Sequence, residues 1–189
     1  MTDVDHSLLR KVASKLREAP SYSDKDMTSS ILKLAASSYG FRPVGDEITV
    51  PTGFDPNAAA LFEAMVESAY LVATADGEFD ASERATFEHL VLAACEGAVA
   101  ERQVHALVAD LHDQLAEDGA DKRIAMVART VTKPEHAQEV LRVAALLAQV
   151  SGGVSDEERE VLDKLAVAVE LDRGSVDGAL REVARALSD

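Results

Sequence analysis

Cysteine, tryptophan and long apolar runs are scarce or absent in this chain of 189 residues. The single cysteine, Cys95, excludes an intrachain disulfide and a zinc site built on several thiolates. A helix that crosses a bilayer needs about 20 mostly apolar residues. The best candidate, 140–154, is interrupted by Arg142 and by adjacent glycines. No apolar signal core stands near residue 1. We therefore expect a soluble, cytoplasmic protein without a membrane span.

Positive charge is also in short supply. The chain has 19 Lys and Arg against 34 Asp and Glu, which gives a net charge of -15. Nucleic-acid binding depends on basic side chains that neutralise phosphates, so nucleic acid is not an expected partner. Residues 1–56 carry 7 basic and 8 acidic side chains, whereas 57–189 carry 12 and 26. A cation or a basic protein surface suits the second part best.

Helical spacing of apolar residues dominates the chain and predicts an all-α protein. Two amphipathic helices are expected at Asp3–Arg17 and Asp24–Tyr39, and prolines and glycines cluster after them. Asp55 and Pro56 then form an N-cap followed by proline, which opens another helix. Six further helices are predicted at about 81–95, 100–117, 121–131, 134–150, 156–170 and 175–187. We divide the chain into a helical extension (1–40), a linker (41–55) and a domain (56–189).

An internal repeat is the most informative pattern. The segment DGEFDASERATFEHL from Asp76 aligns without gaps on SGGVSDEEREVLDKL from Ser151, at a constant offset of 75 residues. An apolar, alanine-rich helix precedes each copy. The repeat predicts two helix-turn-helix hairpins that turn near Gly77 and Gly152 and superpose on each other.

On these segments, and on KPEHAQEVLRVAALLAQ before the second copy, the chain resembles the tellurite-resistance TerB family. The resemblance covers about residues 58–179 and implies a compact all-helical domain of two pseudo-repeated hairpins. It also implies a non-enzymatic role in tellurite resistance and related stress responses, with acidic motif residues as candidate metal ligands. Ser151 departs from the family pattern, which carries Asp there. Residues 1–56 inherit nothing from the resemblance.

The acidic motif has two interpretations. Asp80 with Glu83, and Ser155 with Glu158, have the spacing of a capping box, in which each side chain satisfies a backbone N–H at a helix start. Asp76 differs, because it follows a helix whose dipole disfavours a carboxylate at that end. It needs a backbone amide, a cation or Arg84 as partner.

The second interpretation is a divalent cation site at the first turn. Asp76, Asp80 and Glu83 are the candidate metal ligands, and Glu78 is a further one. Hard cations such as Ca²⁺ and Mg²⁺ prefer several anionic oxygens, which the first turn supplies. The weaker candidates lie in the second repeat, where Ser151 and Ser155 replace two carboxylates. There Asp156 and Glu158 remain.

Nucleophile, phosphate-binding and dinucleotide motifs are missing from the sequence, so we do not expect an enzyme. Cys95 has no neighbouring base and is expected to be a buried structural residue. The aromatic and methionine positions are expected in the core; they are Phe62, Met65, Tyr70, Phe79, Phe87 and Met126.

Two functions follow from these patterns. The first is a TerB-like stress-response module that uses its acidic residues to bind a cation, to assemble with proteins, or both. The alternative is a structural adaptor that binds a basic partner protein without any metal. In either case we expect a protein partner, held by the acidic surface or by self-association through the two N-terminal helices.

Overall fold

The structure is a computed structural model that describes residues 6–20, 23, 27–43, 53–77, 79–151, 153–172 and 174–188. Within these residues the chain forms nine α-helices and one 3₁₀ turn and has no strand, which confirms the predicted all-α class. In chain order the elements are α1 (His6–Arg17), α2 (Ile31–Gly40), α3 (Pro56–Ala73), α4 (Ala81–Cys95), α5 (Glu101–Asp118), α6 (Ala120–Thr130), α7 (Pro134–Ala148), the 3₁₀ turn (Gln149–Ser151), α8 (Asp156–Ala168) and α9 (Ser175–Ser188).

The second helix starts later than the spacing predicts. The pattern extends it back to Asp24, whereas α2 begins at Ile31. Ser30 sets the start, because its backbone is extended and its side chain accepts a hydrogen bond from the N–H of Lys33. The Ser30 hydroxyl also donates to the carbonyl of Leu16 at 2.6 Å, which ties the start of α2 to the end of α1.

Two apolar helices, α3 and α7, form the centre of the molecule. Both are buried on nearly all sides, from Leu61 to Val72 in α3 and from Ala137 to Ala148 in α7. They pack against each other, and α2, α5, α6 and α8 also pack against α3. Helices that are apolar all round belong in a core, and their many alanines let neighbouring helices approach closely. At the start of α3 the predicted N-cap Asp55 is confirmed, with Pro56 in the first turn.

The aromatic core lies mainly where the sequence predicts it. Tyr70, Phe79 and Phe87 meet edge to face, with ring centroids 5.2–6.1 Å apart. Met126 is the exception, because it is 40% exposed. The buried face of α6 is centred on Ile124, and a residue two positions further points about 200° away from it around the helix.

The N-terminal helices share this core. α1 packs on α4 and α7, and α2 packs on α3 and α4, with Leu16 and Tyr39 among the side chains they bury. The end of α2 comes so close to the loop after α4 that a Cβ on Gly40 would lie 1.8 Å from the carbonyl oxygen of Ala98. No larger residue fits there without a shift of the backbone. The predicted division of the chain into an extension (1–40), a linker (41–55) and a domain (56–189) stays a prediction.

A buried ion pair fastens α1 to α7. Arg142 and Glu139, both on α7, lie 2.7 Å apart, and their side chains are 7% and 1% exposed. Arg142 also donates to the carbonyl of Lys15 at 2.9 Å and to that of Glu18 at 3.4 Å. These carbonyls belong to the last turn of α1 and the residue after it, where no further helical N–H is available to them. The Arg142 side chain supplies the missing donors.

None of the described helices combines the length and the apolar character that a bilayer span requires.

Candidate functional site

The first interhelical turn joins α3 to α4 and contains the predicted acidic residues. Thr74 caps the end of α3, and the N–H of Gly77 donates to the carbonyl of Thr74 at 3.1 Å. Gly77 has a φ of 82°, a conformation that favours glycine over other residues. The predicted turn near Gly77 is therefore confirmed. Its predicted counterpart, Gly152, lies outside the described residues.

The capping box predicted at the start of α4 is present. Asp80 Oδ1 accepts from the N–H groups of Ser82 and Glu83, at 2.7 and 2.8 Å. Glu83 Oε2 accepts from the N–H of Asp80 at 2.9 Å. Both side chains are exposed. Their first task is thus structural, because these bonds satisfy N–H groups that have no partner within the helix.

Asp76 lies between the end of α3 and Gly77 and is exposed. Glu78, the further predicted ligand, falls outside the described residues. Among the side chains that the structure describes, no group of three or more His, Cys, Asp or Glu is arranged to hold a metal ion. Asp76, Asp80 and Glu83 therefore do not form a three-ligand site by themselves, and cation binding at this turn stays a prediction.

The second hairpin repeats the capping box in a different environment. Ser155 Oγ accepts from the N–H of Glu158 at 3.1 Å, and Glu158 Oε2 accepts from the N–H of Ser155 at 2.8 Å. Glu158 is only 7% exposed, whereas Glu83 is exposed. Asp156 lies in the exposed first turn of α8. The two boxes share their hydrogen bonds but differ in burial; that the two hairpins superpose stays a prediction.

A charged network connects α4 to α5 beside the first turn. Arg84 donates to Glu88 at 2.9 Å, and Glu88 also contacts His105 Nδ1 at 3.3 Å. Burial raises the pKa of Glu88, but the hydrogen bonds from Arg84 and His105 outweigh it and hold that pKa below the ordinary value. Glu88 therefore stays ionised and holds the two helices together.

Cys95 lies in the core at the end of α4. It is 2% exposed, and burial raises the pKa of its thiol to about 12. The reactive thiolate is therefore almost absent near neutral pH. This agrees with the predicted structural role of Cys95.

The exposed face of α8 carries four carboxylates against two cations, Arg159 and Lys164. Its exposed carboxylates follow helical spacing and share one side; they are Asp156, Glu157, Glu160 and Asp163. On the same side Val167 is 74% exposed. The first turn of α8 is where the helix dipole favours carboxylates, but Asp163 lies beyond the reach of that effect.

Sequence reasoning missed two features of this molecule. The first is the pair Glu139 and Arg142, which the spacing marks only as charges inside an otherwise apolar helix. The sequence does contain one indication of this ion pair: two opposite charges lie three residues apart within an apolar helix. The second is Val167, an apolar residue in line with the acidic positions of α8. Burial alone separates it from a core valine, and the sequence does not show burial.

Comparison with known families matches the model of tellurite resistance protein TerB to residues 62–181 of this chain. This match covers more than half of the chain, from α3 to α9, and leaves α1 and α2 outside. Comparisons with curated proteins and with solved structures give no match.

Proposed function

Because the chain belongs to the tellurite resistance protein TerB family, we propose that it is a non-enzymatic stress-response module that binds a basic partner protein through its acidic surface. In this proposal the helical domain contributes a negatively charged surface, and the partner protein contributes a positively charged one.

The excess of carboxylates over cations carries this proposal. Basic side chains are scarce, and many of them already form ion pairs with this chain's own carboxylates; these are Lys15, Arg17, Lys33, Arg42, Arg84, Lys122, Arg123, Arg142, Arg159 and Lys164. With 34 acidic residues against 19 basic ones, the chain has 15 more carboxylates than cations. Such a surface attracts positively charged partners and repels acidic ones.

The non-enzymatic part of the proposal rests on the residues that would do chemistry. The buried thiol of Cys95 is a poor nucleophile because of its raised pKa. Asp80, Glu83, Ser155 and Glu158 are held by backbone N–H groups at two helix starts. Capping of the two helices, rather than proton transfer to a substrate, accounts for the presence of these side chains.

A binding measurement tests the partner class. We expect a fluorescent 14-residue amphipathic peptide of leucine and lysine to bind the full chain, and its leucine–glutamate analogue not to bind. Affinity should fall as salt is raised, because exposed charges are screened within about 8 Å at physiological ionic strength. Equal binding of both peptides, or no salt dependence, would contradict the charge mechanism.

The cellular role needs its own experiment. Cells that lack this protein should lose viability in tellurite, and the wild-type gene should restore it. A variant with Glu157→Lys and Glu160→Lys, shown by circular dichroism to be folded, should fail to restore it because the partner is repelled. Full rescue by that variant would show that the acidic face is not needed for tellurite resistance.

Cation binding at the first turn is the second candidate function, favoured by the exposed carboxylate of Asp76 at the end of α3. If it operates, calorimetric titration with Ca²⁺, Mg²⁺, Mn²⁺ and Zn²⁺ gives heat with the wild type and much less with Asp76→Asn. The matched control is Glu117→Gln, which removes an exposed carboxylate from α5, outside both turns. Equal binding by wild type and Asp76→Asn rules out this site. If no cation gives heat, the result favours the adaptor that binds a basic partner without metal.

A further inference from the structure

A shallow groove of about 440 Å³ runs between α6 and α8. Its floor is apolar, with Ile124 from α6 and Val167 and Ala168 from α8. Val167 is the most exposed large apolar residue of the described chain, at 74%. A single exposed valine is ordinary on a protein surface, but one that continues an apolar floor offers an anchoring contact to a partner.

Carboxylates line the edges of this groove. Asp121 lies on the α6 side, and Glu160 and Asp163 lie on the α8 side. All three are well exposed, with side chains 85%, 69% and 53% accessible. The groove thus combines an apolar floor with a negative rim, the arrangement that complements an amphipathic helix with basic flanks.

Lys164 already occupies the position that such a basic flank would take. Its ammonium lies 3.1 Å from Glu160 and 3.4 Å from Asp121, so it joins the two sides of the groove. Interaction with these two carboxylates raises the pKa of Lys164. The rim is therefore able to bind an ammonium group. Asp163 also lies 3.8 Å from Arg159, which is shared with Asp177, so the two cations Lys164 and Arg159 neutralise only part of the local negative charge.

The chain also shows which kind of helix its domain accepts. α1 has the sequence HSLLRKVASKLR, with four basic residues and no acidic one, and it buries Val12 and Leu16 against the domain. Its basic ends make polar contacts, as Arg17 does with Glu96 at 3.0 Å. A basic amphipathic helix that packs through its apolar face and adds an ion pair with another helical segment is thus an arrangement that this molecule already contains.

From these observations we propose that the groove between α6 and α8 is the docking surface for a basic amphipathic helix of a partner protein. This inference rests on the proposed function and assigns its binding surface. A leucine or valine of the partner helix covers Val167, and its lysine or arginine side chains reach Asp121, Glu160 and Asp163. A second copy of this chain is a poor occupant, because a net charge of -15 on each copy opposes their approach.

Two substitutions with opposite expected effects test the groove, with the full chain and the leucine–lysine peptide as probe. Val167→Ser removes the apolar contact without changing charge, and we expect the dissociation constant to rise by about fivefold or more. Lys164→Gln releases Asp121 and Glu160 from their internal cation. We expect it to lower the dissociation constant and steepen its salt dependence.

Each substitution has a matched control on another face. Leu34→Ser replaces a residue that is 57% exposed on α2 and should leave peptide affinity unchanged. Arg102→Gln makes the same charge change as Lys164→Gln near the start of α5, about 24 Å along that helix from its other end, which precedes α6. It should alter affinity far less than Lys164→Gln does. Thermal melts of all four variants establish that each is folded.

The outcomes separate this inference from the proposed function. Weaker binding by Val167→Ser together with tighter binding by Lys164→Gln, and little change in the controls, supports the groove. Peptide binding that none of the groove variants alters overturns the groove and leaves the proposed function standing. No peptide binding at low salt overturns both. If sedimentation shows a dimer that Val167→Ser dissociates, the groove belongs to a second copy and the inference is wrong.

Discussion

At the scale of single residues, Arg142 has the most consequential position. It is buried on α7 together with Glu139, and it also donates to the carbonyls of Lys15 and Glu18. A buried ion pair adds little stability as a whole, because desolvation offsets much of the attraction. Removing one partner is different, since the other charge is then left buried without compensation.

We therefore predict that Arg142→Met lowers the free energy of unfolding by about 3–5 kcal/mol. The loss has two causes: Glu139 keeps its buried charge, and the end of α1 loses its donors. The double variant Glu139→Met, Arg142→Met should recover a large part of the loss, because no unpaired charge remains. Urea denaturation measures the free energy of unfolding of the wild type, the single variant and the double variant. A double variant no more stable than the single one would show that the contacts to α1 dominate.

At the scale of helices and turns, the two capping boxes decide where α4 and α8 begin. Each uses local hydrogen bonds between residues three apart, so the sequence pattern alone points to each of them. Asp80 and Glu83, which form the box of α4, are also candidate cation ligands of the first turn. Stability measurements separate these two tasks of Asp80.

We predict that Asp80→Ala lowers the free energy of unfolding by about 1 kcal/mol, whereas Asp80→Ser leaves it nearly unchanged. Serine caps a helix about as well as aspartate but brings no charge. If a divalent cation also uses Asp80, its stabilising effect is lost in Asp80→Ser as well as in Asp80→Ala. Thermal unfolding of the three proteins without a cation measures the contribution of the cap. The same measurement with Ca²⁺ or Mg²⁺ shows whether a cation uses Asp80. Equal stability of wild type and Asp80→Ala would show that the cap contributes nothing.

At the scale of the whole molecule, the N-terminal helices and the family-matched helices share one core. Leu16 and Leu32 are 0% and 2% exposed, values similar to those of Leu146 and Leu162. The close approach of Gly40 to Ala98 and the contacts of Arg142 with α1 add specific connections between the two parts. Helices joined in this way unfold together when most of their apolar surface is shared.

We predict that backbone amides of Leu16 and Leu32 exchange hydrogen only through the same global opening as those of Leu146 and Leu162. Native-state hydrogen exchange across low concentrations of denaturant measures this. The control is the amide of Ser82 in the exposed first turn of α4, which bonds to a surface side chain and should exchange through local opening with little dependence on denaturant. Early exchange of Leu16 and Leu32 would support a separate unit at 1–40, as the sequence-based division proposes.

The sequence alone determined the features that depend on neighbours along the chain. The all-α class, the N-cap Asp55 and both capping boxes were predictable, because helical periodicity and bonds between residues three apart are local. The resemblance to the TerB family rested on the same short motifs around Asp76 and Ser155, and the family match agrees with it.

Only the tertiary structure decided what depends on which faces meet. Ser30 starts α2 because its hydroxyl reaches Leu16 on another helix, and Arg142 is buried because α1 covers it. Met126 and Val167 are exposed because no helix of the described chain covers their side of α6 and α8. Apolar side chains look the same in sequence whether they are covered or exposed, since the hydrophobic effect depends on area removed from water and not on residue type alone.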